Sequence, residues 1–64
     1  MITINGKDVD AEGKKVSEYL AEAGYDVRRV AVERNGEIVP KTAYDAVLLT
    51  EGDTVEIVSF VGGG

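Results

Sequence analysis

An α+β fold, one helix laid across one face of a small sheet, is the class this sequence predicts. Three observations lead there. Two Asn-Gly pairs sit between short alternating apolar segments, a stretch of helical periodicity separates them, and an alternating run closes the chain.

Taken in order, Ile2 and Ile4 alternate with Thr3 and Asn5, the period of a half-buried strand. Asn5-Gly6 follows, a pair that tolerates the positive φ of a type I′ hairpin turn. Lys7 to Ala11 returns as a second strand around Val9, and Glu12-Gly13 breaks it. From Val16 the period changes. Val16, Tyr19, Leu20 and Ala23 fall at i, i+3, i+4 and i+7, one stripe of a helix. Gly24 is placed to end that helix in a left-handed conformation. Lys15 is a poor N-cap, so the start is the weaker end. Tyr19 belongs in the core or at its rim.

Val30 to Val32 begins a third strand, Asn35-Gly36 marks a second hairpin, and Glu37 to Val39 is the fourth strand, stopped by Pro40. Lys41 to Leu49 reads as an irregular crossover or short helical turn. Glu51-Gly52-Asp53 is a tight turn, and Thr54 to Phe60 is the last strand. Within it Val55, Ile57 and Ser59 share one face and Glu56, Val58 and Phe60 the other.

A chain of 64 residues makes one domain. So short a chain buries only about 60% of its unfolded surface, leaving little room for an enclosed pocket. Residues 1–61 are read as that domain and residues 62–64, all glycine, as a flexible tail. Hydrophobic residues at 44% and charged residues at 30% fit a soluble globular protein.

Twelve acidic residues against 7 basic ones leave a net charge of −5. That argues against nucleic acid, whose phosphates are neutralised by lysine and arginine, and suits equally steering toward a basic surface on a protein partner and simple solubility. Cysteine and histidine are both absent. A disulfide framework, a thiolate nucleophile, a Cys/His zinc site and a serine or cysteine triad are thereby excluded. No basic leader and no membrane-length apolar run is present, so the expected location is cytoplasmic, with no membrane partner.

The end of the chain has a chemistry of its own. Gly62, Gly63 and Gly64 carry no Cβ and can thread a narrow slot, and with Val61 they reach roughly 13 Å when extended. A terminal carboxyl has an ordinary pKa of about 3.3–3.7, so at neutral pH it is an anion. An ionised carboxylate on a thin arm is suited to attack the α-phosphate of ATP inside a partner enzyme. With no cysteine in the chain, any sulfur it carried would sit on the main-chain terminus as a thiocarboxylate. Glycine-rich ends are also commonly inert.

Val30 through Pro40 (strand, Asn-Gly, strand, Val-Pro) and Glu51 through Gly64 (Gly-Asp turn, hydrophobic strand, terminal Gly-Gly) together resemble the sulfur carriers of thiamine thiazole synthesis. The likeness continues more weakly through Val16, Leu20 and Gly24, and so covers nearly the whole chain. It implies a ubiquitin-like β-grasp fold: a mixed sheet of four or five strands, the first and last side by side, with one helix packed across it. It also implies that the protein is a co-substrate and not an enzyme. An E1-like adenylyltransferase using Mg-ATP would activate Gly64, a sulfurtransferase or cysteine desulfurase system would supply sulfur, and thiazole synthase would receive it. No cofactor would be bound by the carrier itself. Lys15 departs from the capping Ser or Thr the family often has.

Val58 and Phe60, facing outward beside Val61 and the tail, are the expected contact surface for these partners; the alternative is that Phe60 folds over the sheet edge. The small subunit that donates sulfur to molybdopterin is similar, but usually has a proline-rich approach to its Gly-Gly end where this chain has Ser59-Phe60-Val61. An interaction module with an inert tail, and a modifier conjugated to lysine, complete the alternatives.

Overall fold

The computed structural model describes residues 1–60. Five strands, β1 (Ile2–Ile4), β2 (Lys7–Val9), β3 (Val30–Arg34), β4 (Glu37–Val39) and β5 (Thr54–Ser59), form one sheet in the order β2-β1-β5-β3-β4. β1 and β5 run parallel side by side, as the family resemblance implies, and the other neighbours are antiparallel. Strand β5 is therefore central.

Both hairpins turn where the Asn-Gly pairs stand. Asn5 and Gly6 have φ of 50° and 82°, and Asn35 and Gly36 have 52° and 84°, the positive values a type I′ turn requires. β2 is shorter than expected and ends at Val9, but Ala11 beyond it is buried in the core.

Helix α1 (Val16–Glu22) buries Val16 and Leu20 against Ile2, Ile4, Val30, Val32, Val55 and Ile57 of the sheet. Tyr19 is partly buried at the rim of this core. Ala23, read as the fourth residue of the stripe, is exposed and caps the helix instead, because the chain turns at Gly24 before another core-facing position is reached. Gly24, at φ 86°, completes a Schellman ending: its N–H donates to the Ala21 carbonyl, and that of Tyr25 to the Leu20 carbonyl.

The start of α1 is better held than Lys15 suggests. A lysine side chain cannot accept from a backbone N–H, but the Glu18 carboxylate accepts from the Lys15 N–H at 2.7 Å, which is half of a capping box. The crossover supplies the rest. The Val47 carbonyl accepts from Val16 N–H at 3.0 Å and the Tyr44 carbonyl from Ser17 N–H at 2.9 Å. Two orphan donors of the first turn are thus satisfied by distant backbone.

That crossover opens with a 3₁₀ turn at Lys41–Ala43 and buries Tyr44 and Leu49 in the core. The Lys41 ammonium donates to the carbonyls of Val27 and Val30 at 2.9 and 2.7 Å. It thereby ties the crossover to a second 3₁₀ turn, Val27–Arg29, which the sequence pattern did not reveal. Among the described residues no helix is long and apolar enough to cross a membrane.

Candidate functional site: the open sheet face and the approach to the chain end

The helix covers one face of the sheet and leaves the other open. Alternation along β5 puts Val55 and Ile57 into the core and Glu56 and Val58 outward. Val58 and Phe60 are each 55% exposed, so Phe60 does not fold back over the sheet edge into the core. Val61, Gly62, Gly63 and Gly64 lie outside the described residues.

The last described residue is tied to the sheet. Phe60 donates its N–H to the Arg29 carbonyl at 2.7 Å, continuing the β3–β5 pairing one step past the end of the strand. The route out of the fold is thereby defined up to Phe60.

Two asparagines, read in the sequence as turn residues alone, also hold β5 in place. Parallel pairing of β1 with β5 stops at Ile4 and Val55, because β1 bends into its hairpin at Asn5. The Asn5 side chain then takes over from the backbone. Its amide oxygen accepts from Ile57 N–H at 2.7 Å and its amide nitrogen donates to the Ile57 carbonyl at 3.1 Å. Asn35 does the same at the start of the strand, accepting from Thr54 N–H at 2.9 Å and donating to Asp53 at 3.0 Å.

Asp53 is the one buried charged residue among the described residues. Besides Asn35 it accepts from Arg34 Nε at 2.8 Å and from the Thr50 N–H and hydroxyl at 2.9 and 3.2 Å. Burial pushes its carboxyl upward, but the Thr50 N–H, the Arg34 guanidinium and the Asn35 amide together outweigh burial and hold it at about 2. This network joins the second hairpin to the turn that launches β5. The Asn-Gly and Gly-Asp turns were visible in the sequence, and the network joining them was not.

Side chains outside the predicted set share the open face. Ala31 is registered opposite Val58, Glu33 opposite Glu56, and Ile38 opposite Glu33, with Ile38 68% exposed. Ile38 was readable from strand alternation once β4 was placed at the sheet edge. The Glu33–Glu56 register was not, since it depends on which strands are neighbours. No group of three or more His, Cys, Asp or Glu residues placed to hold a metal occurs among the described residues. The arrangement offers a contact surface leading to a chain end.

Comparison with known proteins fits this geometry. Residues 1–64 match the ThiS family. A sulfur carrier protein ThiS from Bacillus subtilis is 42% identical over 66 residues, with both chains covered in full. A thiazole synthase from Paramagnetospirillum magneticum is 48% identical over 64 residues, covering 98% of this chain, which spans only 20% of that protein's length. The crystal structure of a thiamine biosynthesis protein, ThiS, from Geobacter metallireducens superposes with a TM-score of 0.78 at 40% identity, covering 98% of this chain and 97% of that one. The chain with the β5-centred sheet and the Gly-Gly-Gly end belongs to the ThiS family.

Proposed function

We propose that this protein is the sulfur carrier of thiamine thiazole synthesis, with the Gly64 carboxylate as the group that is activated and loaded. The observation that carries the reading is the family match extending through residue 64, in a chain with no cysteine or histidine to hold sulfur elsewhere.

The chemistry follows from the carboxylate. Its oxygen attacks the α-phosphorus of Mg-ATP within an E1-like adenylyltransferase and pyrophosphate leaves, giving an acyl-adenylate. A persulfide on a sulfurtransferase or cysteine desulfurase system then attacks the acyl carbon and AMP leaves. A thiol of that system cleaves the resulting acyl disulfide, leaving the donor as a disulfide and the chain end as a thiocarboxylate. The thiocarboxylate that results is taken by thiazole synthase, and resemblance to part of a protein of that name supports the pairing. Catalysis at each step belongs to the partner, and the carrier is a co-substrate working in the cytoplasm. Val58, Phe60 and Val61 form the contact beside the arm, and Gly62 and Gly63 thread the partner's channel.

Intact mass spectrometry tests this. Incubation with the adenylyltransferase, Mg-ATP and a sulfur source is expected to exchange one oxygen for one sulfur, and deletion of Gly64 is expected to abolish the exchange. An unchanged mass in the intact chain, or exchange that survives the deletion, refutes the reading.

A further inference from the structure

On the open face, Glu33 of β3 and Glu56 of β5 are in direct cross-strand register. Like charges placed opposite one another destabilise an antiparallel pair. Neither carboxylate has an ion-pair partner among the described residues, although Arg34 and Arg28 close by in sequence are paired with Asp53 and Asp26. The outward positions of β1, β3, β4 and β5 hold no lysine or arginine at all. The face is therefore acidic without internal compensation, and the fold bears a repulsion that a neutral residue at either position would remove.

The acidic row adjoins an apolar one. Ala31 and Val58 lie two residues along the same two strands, about 7 Å from the glutamates. Phe60 extends this row toward the chain end, and Ile38 flanks Glu33 on the other side. Exposed apolar side chains beside unpaired charge of one sign define the chemistry of what covers them.

We propose that this face is occupied by a partner protein surface with an apolar patch for Val58 and Phe60 and at least one arginine or lysine seated between Glu33 and Glu56, the partner being the activating adenylyltransferase. The inference rests on the carrier reading above and adds to it a charged half of the contact. Charge complementarity calls for a cationic occupant. A second copy of this chain would set glutamates against glutamates, whereas a cationic side chain relieves the repulsion and makes charge-assisted hydrogen bonds to both carboxylates.

The test is ATP–pyrophosphate exchange by the purified adenylyltransferase, with the full chain varied in concentration at low and high salt, for wild type, Glu33→Gln and Glu56→Gln. Asp45→Asn, an equal charge change on the crossover, is the control. Each glutamine variant is expected to raise KM roughly three- to ten-fold with kcat nearly unchanged and with a flatter salt dependence. The same variants are expected to melt about 2–4 °C higher, because a like-charge pair is lost. Asp45→Asn should leave KM as in wild type. KM and salt slope unchanged in the glutamine variants, or raised equally by Asp45→Asn, overturns the proposal while the carrier reading stands. Absence of exchange with the wild-type chain overturns both.

Discussion

Asn5 illustrates how much one side chain contributes in a domain this small. Its backbone makes the first hairpin turn at φ 50°, and its amide completes the hydrogen bonding of Ile57 where β1 has bent away. The two roles separate under substitution. Glycine keeps the positive φ but leaves the Ile57 N–H and carbonyl unpaired at a residue whose side chain is buried in the core. Asn5→Gly is accordingly expected to lower unfolding free energy by about 2 kcal/mol, the scale of unsatisfied buried polar groups. Urea denaturation measures it, and a midpoint equal to wild type would show that the turn alone matters.

At the scale of elements, the junction of the β3–β4 hairpin with β5 depends on Asp53. Its carboxyl is held at about 2 in the fold, against an ordinary 3.8. A depressed carboxyl stabilises the fold fully above its unfolded value, and that stabilisation is lost as pH falls from 3.8 toward 2. The difference amounts to about 2 kcal/mol for a group this well buried. Glu12, drawn down to about 2 mainly by the N-terminal ammonium, titrates in the same window. The comparison with Asp53→Asn isolates the Asp53 share. The variant is expected to be less stable than wild type at neutral pH, with the gap closing as pH falls to about 2. A gap constant with pH would contradict the assignment. The same junction shows what was readable beforehand. Asn35-Gly36 announced its turn and Gly52-Asp53 another, because both are local backbone requirements. That Asn35, Arg34 and Thr50 converge on Asp53 was not readable, since the convergence is created by the β3–β5 register. The start of α1 is a similar case. Lys15 looked like a defect because the Tyr44 and Val47 carbonyls that complete the cap lie in a crossover with no periodicity of its own. The chemistry proposed for the tail has the opposite basis: it rests on residue types at one place and on no long-range contact.

For the molecule as a whole, the proposed function divides stability from recognition by face, and one residue in β5 and one just beyond it test the division. Ile57 lies in the core, 7% exposed, while Phe60 stands 55% exposed three residues later on the open side. Truncating Ile57 to alanine removes buried methylenes and leaves a cavity, a loss of roughly 2–5 kcal/mol. A domain of about 60 residues has little margin to absorb that loss. Ile57→Ala should therefore lose cooperative unfolding or melt far lower, and lose activity with it. Phe60→Ala removes a ring already half in water, and the backbone bond from its N–H to Arg29 survives the change. Its melting temperature should stay within a few degrees of wild type, while its affinity for the adenylyltransferase, measured by calorimetry, falls on the order of ten-fold or more, as for an exposed aromatic anchor. The reverse pattern, a destabilised Phe60→Ala with undiminished affinity, would assign Phe60 to the fold and move the recognition surface elsewhere.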